Sequence, residues 1–308
     1  MGNIYGNDAY NNGRKEKKIS GSAVARIVIW SVVFFLLVGV FAAAMLGNFL
    51  GGALFAGGRI HLGDWYFDDD FNVGNGVFSG KIRELSIDWV AGSVTVMATD
   101  GEEIRITEDY DGDDDAYSLR WQAEDGKLSV KYCKPTIKTA LFGSKAPSKN
   151  LTVLIPEALL NELDEIQIST VSASQDVRVS ARELDIETVS GKTTISGDYD
   201  AVEIETVSGN VDLKGYVKRA TFEGVSARIE LSLRAQAERV SLETVSGDMR
   251  LILPESTTGF RVDTDSLSGS TEIRGFDGGT SKTWGDGSMK IDVDRVSGKL
   301  IIEKETKD

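Results

Sequence analysis

Apolar and polar residues alternate with a period of two through the second half of the chain. Four stretches share one phase: LDIET from Leu184, VEIET from Val202, ATFEG from Ala220 and VSLET from Val240. Such alternation is that of strands with one face buried. It predicts inward rows Leu184/Val202/Ala220/Val240 and Ile186/Ile204/Phe222/Leu242, and an outward row Glu187/Glu205/Glu223/Glu243. Each stretch runs into a T-V-S-[GA] segment or a variant of it, centred on Val171, Val189, Val207, Val225, Val245, Leu267 and Val296. The centres are 18, 18, 18, 20, 22 and 29 residues apart. A second short alternation follows, as in KTTIS, NVDLK and RIELS.

Eighteen residues are too few for a βαβ unit, which needs about 30. They suffice for one coil of a parallel β-solenoid, in which successive coils stack at about 4.8 Å and like residues form ladders. The closing Gly or Ala suits a tight corner, and the Ser before it can bond neighbouring backbone. The predicted fold class is therefore all-β, a parallel β-solenoid of 18–22-residue coils preceded by one transmembrane helix. Residues 81–165 read as irregular strands, 166–274 as regular repeats, and 275–308 as a capping loop with the last strand. Trp284 is expected to cover the final coil, because terminal coils must hide their apolar ends.

Ile27 to Leu46 is twenty residues without a charge. As a helix it spans about 30 Å, the hydrocarbon thickness of a bilayer. A cleaved leader would have a shorter apolar core, about 7–15 residues. Residues 1–26 carry a net +3, whereas residues 59–308 hold 29 bases against 46 acids, a net −17. The positive-inside rule then places residues 1–20 in the cytoplasm, residues 21–47 in the membrane, and the body outside. Residues 48–80, rich in Gly and Asp, read as a tether with Trp65, Tyr66, Phe67 and Phe71 packed on the first strands or at the membrane interface.

Candidate chemistry is sparse. A body of −17 repels phosphate backbones, so no nucleic-acid partner is expected. One cysteine (Cys133) and one histidine (His61) leave no internal disulfide, cysteine-built zinc site or histidine triad. The 18-residue coil equals three hexapeptides, but the apolar step slips at Leu184, Val202 and Ala220, against the hexapeptide acyltransferase pattern. Carboxylates about 4.8 Å apart approach the retaining-glycosidase spacing, yet a ladder repeated on every coil lacks the two differently tuned acids such a site needs. Asp109 to Asp115 departs from the EF-hand order, with Asp114 where glycine belongs and Arg120 where glutamate belongs. No catalytic, cofactor or metal residue is assigned. The surface candidates are Glu187, Glu205, Glu223 and Glu243, with weak binding of divalent cations as their expected chemistry.

The chain resembles the bacterial putative-adhesin family of β-strand-repeat domains. The resembling residues are LTVLIP (Leu151–Pro156), ETVSG at Glu187, Glu205 and Glu243, VDTDSLSG (Val262–Gly269) and GDGSMKIDVDRVSG (Gly285–Gly298). The resemblance covers about residues 82–303. It implies an envelope solenoid, sometimes with one amino-terminal membrane helix, and no catalytic residues. Some relatives are associated with envelope-stress systems. The expected function is thus non-catalytic: an acidic solenoid at the cell membrane, displayed for adhesion to an envelope polymer or binding to a membrane protein. An accessory sensor of envelope stress and a self-assembling scaffold are the alternatives. The topology is directly testable. Protease added to intact cells should digest residues 59–308, and full protection of that region would reverse the orientation.

Overall fold

A computed structural model describes residues 71–110, 112, 117–133, 147–277, 279 and 282–305. The cytoplasmic tail, the expected membrane helix Ile27–Leu46 and most of the tether lie outside these residues, as does His61. Among the described residues no helix is long and apolar enough to cross a membrane.

The chain forms two stacks of parallel strand arms, joined at the T-V-S-G corner. The long strands turn this corner without a break: β3 (Glu84–Thr99), β8 (Glu165–Arg178), β9 (Glu183–Ser196), β10 (Tyr199–Gly215), β11 (Val217–Leu233), β14 (Gly259–Arg274) and β16 (Met289–Lys304). The strands β12 (Arg239–Ser246) and β13 (Met249–Leu253) together make one more coil. Register is in step throughout. Ile204 lies between Ile186 and Phe222, and Val202 lies between Leu184 and Ala220. Both expected inward rows are buried, so the core is one continuous apolar ladder.

The corner explains the repeat motif. Backbone pairing skips the central Val on each coil. The Ser that follows supplies the missing donor. The Ser172 hydroxyl donates to the Val90 carbonyl at 3.2 Å, and Ser190 does the same to Val171 at 3.4 Å, each reaching one coil back. Ser246 and Ser297 repeat the bond to Val225 and Val245. Inside the corner, the Thr188 and Thr244 hydroxyls donate to the carbonyls of Ser190 and Ser246, at 3.2 Å each. Gly191 adopts φ 138°, and a Cβ there would fall 2.2 Å from the Ala173 carbonyl oxygen. Ala173 and Ala227 occupy corners whose φ is not positive, which is why alanine is admitted there.

Three boundaries differ from the sequence reading. Residues 81–165 are not uniformly irregular, because β3 is already a full coil, with Trp89-Val90-Ala91-Gly92 as its corner, and it pairs directly with β8. The excursion between them adds β4 (Ile104–Asp109), the hairpin of β5 (Arg120–Glu124) and β6 (Lys127–Lys131), and β7 (Lys149–Pro156); a 3-10 turn, Glu157–Glu162, then leads into β8. The tether ends earlier than residue 80, since β1 (Asn72–Val73) pairs with β5 and β2 (Gly76–Phe78) pairs with β4. Finally, the last strand is not the last layer. β16 inserts between β12–β13 and β14, leaving β14 as the terminal coil. Covering its start is β15 (Thr283–Gly285), whose Trp284 stacks on Phe260 with ring centroids 5.1 Å apart. Trp284 is therefore the expected cap, over the penultimate coil in sequence.

The two faces of one arm should respond oppositely to substitution. Ile204→Asp places an unpaired charge between Ile186 and Phe222 and should cost more than about 4 kcal/mol or abolish folding. Glu205→Gln, one position along on the outer face, should leave stability unchanged or raise it at neutral pH by relieving like-charge stacking. Thermal unfolding of the full chain in non-ionic detergent measures both, and equal losses would mean the faces are wrongly assigned.

Candidate functional site

Two residues before every corner centre, the side chain lies on the outer face of the first arm. Register brings Glu187, Glu205, Glu223 and Glu243 into one row, as the sequence predicts. The row is longer than those four. It runs Asp88, Ser169, Glu187, Glu205, Glu223, Glu243, Asp294, Asp265 across eight coils. Asp88, Asp294 and Asp265 were legible in the sequence, each two places before Val90, Val296 or Leu267. A search for glutamate alone passes over them. A second row, two residues earlier, adds Asp185 beside Glu203.

Ion pairs to the acidic rows lie toward the ends of this face, while the exposed Arg219 stands on it in the middle, four positions before Glu223. Lys127 reaches Glu84 and Lys131 reaches Asp88, both at 3.5 Å. At the other end Arg239 meets Asp292 at 2.6 Å, while Arg261 and Lys282 meet Asp263 at 2.8 and 3.1 Å. Between them Asp185, Glu187, Glu203, Glu205, Glu223 and Glu243 have no Lys or Arg nitrogen within 4.0 Å among the described residues. The ladder carboxylates are half-buried by their own neighbours, and the consequence is electrostatic. Burial, then Glu223, Glu187, Glu203 and Asp185, push the Glu205 carboxyl up to about 7. Burial and Glu187, Glu203 and Glu165 push Asp185 to about 6. Burial first, and acidic neighbours second, also raise Glu187, Glu223 and Glu243.

The second arm is built differently. There, acids and bases alternate across coils and neutralise each other: Lys192 with Asp212 at 2.9 Å, Arg250 with Glu230 at 3.6 Å, and Lys299 with Glu272 at 2.7 Å. Hydrogen bonds from Arg274 and Lys299 hold Glu272 near 2. One broad face is thus acidic in its middle, and the other is charge-balanced. Along the corner between them runs an apolar row of half-buried Val90, Val171, Val189, Val207, Val225, Val245 and Val296, ending in Leu267 at 50% exposure. Eight side chains at the strand spacing make a line of about 34 Å.

A second cluster lies at the amino-terminal end. The fully buried Lys149 ammonium donates to Glu108 Oε2 at 2.6 Å and to the carbonyls of Tyr117 and Tyr132 at 2.6 and 2.5 Å. The rings of Tyr132, Trp89 and Tyr110 enclose it at 4.1, 4.8 and 5.4 Å. Burial pulls its pKa down while the Glu108 hydrogen bond opposes the fall. All three donors are used, so the cluster pins the excursion to β3. Sequence reasoning missed it, because Lys149, Glu108 and Trp89 are far apart in the chain. Cys133 beside it is half-buried, and burial pushes its thiol up to about 11, away from reactivity. Of the acidic loop, Asp111 and Asp113–Asp115 lie outside the described residues. No group of three or more His, Cys, Asp or Glu among the described residues is arranged to hold a metal ion.

A two-armed parallel solenoid with one acidic face is an all-β repeat domain. Residues 82–303 match the model of the Toastrack DUF4097 family, and the chain belongs to that family. No curated protein matches it. Among solved structures, a "putative adhesin" from Bacteroides fragilis is 14% identical, with 75% of this chain and 97% of that one covered and a TM-score of 0.45. A "putative cell adhesion protein" from Clostridium sporogenes is 9% identical, covering 76% and 100%, with a TM-score of 0.35. A "putative lipid binding protein" from Parabacteroides distasonis is 15% identical, covering 78% and 98%, with a TM-score of 0.38. Similarity at this level speaks to no activity of this chain.

The raised carboxyls fix a pH dependence. The folded state holds more protons than the unfolded one between about pH 4.5 and 7, so stability falls as pH rises through that window. Groups held low, such as Glu272 near 2, act in the opposite sense only below about pH 4.5. The thermal midpoint should therefore climb from pH 7.5 to pH 5. Changing Glu187, Glu205, Glu223 and Glu243 to glutamine should flatten that rise, and an unchanged slope would show that these carboxyls do not titrate as described.

Proposed function

We propose that this chain is a non-catalytic, membrane-anchored display protein, whose acidic solenoid face binds a cationic partner outside the cell. The observation that carries the reading is the group of middle carboxylates, Glu187, Glu205, Glu223 and Glu243 with Asp185 and Glu203, that form no salt bridge among the described residues, on a chain that neutralises almost every acid of its opposite face. Unneutralised carboxylates stacked at about 4.8 Å repel one another, and a partner bringing opposite charge lowers that cost. The apolar corner row beside them gives a contacting surface something to bury. Together they form a straight strip suited to an extended partner: a basic segment of a membrane protein or an envelope polymer bearing amino groups. The amino-terminal charge pattern supports an exported body on the Ile27–Leu46 anchor. Family membership accords with adhesion or partner binding and supplies no enzyme chemistry.

Calorimetry tests this reading on the full chain in non-ionic detergent. A 20-residue oligolysine should bind the wild type, with affinity falling as salt rises, and bind the variant with all four ladder glutamates changed to glutamine at least about fivefold more weakly. Calcium chloride serves as the comparison, and its heat should be small and without fixed stoichiometry. Identical oligolysine isotherms for the two proteins would leave the ladder a solubilising role only, and a stoichiometric calcium isotherm would replace the cationic partner by a metal.

A further inference from the structure

One position before each corner centre, the side chain points into the coil. The occupants in stacking order are Trp89, Thr170, Thr188, Thr206, Gly224, Thr244, Arg295 and Ser266. Arginine is the one charged residue in this lane among the described residues. It stands in the layer just beneath the terminal coil, paired in register with Thr244 below and Ser266 above.

Arg295 is 1% exposed. Its Nη2 donates to the Thr271 hydroxyl at 2.8 Å, while Nε and Nη1 meet no acceptor. No carboxylate lies within 4.0 Å of it among the described residues. The acids of the adjoining arm are committed elsewhere: Glu272 to Arg274 and Lys299, and Glu303 to Arg250 and Arg274. A guanidinium stays charged at neutral pH, and a buried charge with most of its donors idle is costly. Buried polar groups without partners point to a water or ion that completes them.

We propose that the carboxyl-terminal end of the solenoid is a binding site for a small carboxylate anion, held by Arg295. The planar guanidinium fork matches two carboxylate oxygens, a geometry that a spherical anion cannot use. The end of the stack is the way in. Ser268, Gly269, Ser270 and Thr271 of β14 are exposed, and beyond Val262 no strand covers them among the described residues. Gly269 lies directly over the guanidinium, since a Cβ there would fall 2.7 Å from Nε. Among the described residues Thr271 is the one side chain hydrogen-bonded to the head group. Entry requires it to turn away, which frees Nη2 for the ligand and leaves its hydroxyl to donate to a carboxylate oxygen. The site is independent of the acidic strip, being on a different surface and of opposite charge preference.

Acetate is the probe, added to the full chain in non-ionic detergent at constant ionic strength, with intrinsic tryptophan fluorescence reporting the thermal midpoint. The wild type should gain about 3–5 °C for each tenfold rise in acetate above half-saturation. Arg295→Met keeps the volume and removes the charge. It should fold, match or exceed the wild-type midpoint without acetate, and show no acetate response. Arg295→Lys, a point charge without the fork, should respond more weakly than the wild type. An equal acetate effect on wild type and Arg295→Met, or none on either, would overturn the site. A chloride response equal to that of acetate would overturn its preference for carboxylates.

Discussion

Everything in this molecule depends on the in-register stacking of parallel coils. Each residue's neighbours above and below are its own counterparts, about 4.8 Å away, so whatever one position contains is multiplied along the axis. Where the position is apolar, multiplication builds a core from Leu184, Val202, Ala220 and Val240 with no need for long-range design. Where it carries a hydroxyl, as at Ser172 and Ser190, multiplication repairs the same backbone defect on successive coils. Where it carries a carboxylate, multiplication produces repulsion, and the fold has no means of spreading it.

That repulsion separates the two faces. On the second arm, alternation of sign from coil to coil turns the same stacking into a chain of ion pairs, such as Lys192 with Asp212. On the first arm the sign is constant across Glu187, Glu205, Glu223 and Glu243, and the field falls on half-buried groups whose affinity for protons rises. The difference is one of sequence choice at equivalent positions, since both arms present outward rows of the same geometry. A solenoid can therefore carry an electrostatically strained face and a relaxed one on the same backbone.

The repeat was legible because period-two alternation and the T-V-S-G corner are local signals. They placed the inward rows and the acidic row, and the need of a terminal coil to hide its apolar end gave Trp284 its capping role. What escaped was non-local or disguised. Trp89-Val90-Ala91-Gly92 is a corner without the motif's hydroxyls, so the first coil read as an irregular strand. The ladder's outer members are aspartates in degenerate repeats. Lys149 gains its partners from β3, β4 and the segments around Tyr117 and Tyr132, a meeting that no spacing announces. The order of β14 and β16 was also beyond reach, because both carry equivalent corner motifs and the sequence does not say which of them stacks next on β12.

That order bears on how the chain is completed. Among the described residues β16, formed by residues 289–304, is the one layer between β12–β13 and β14. Until β16 is in place, β14 has no surface to rest on, and the coils before it end in an open edge. The final strand thus acts as a keystone. Removal of β16 would cost two interfaces at once, whereas removal of the last strand of a solenoid stacked in sequence order would cost one. Assembly of the two layers is therefore coupled: before β16 docks, β12–β13 and β14 each present an unpaired strand edge, and one docking step closes both.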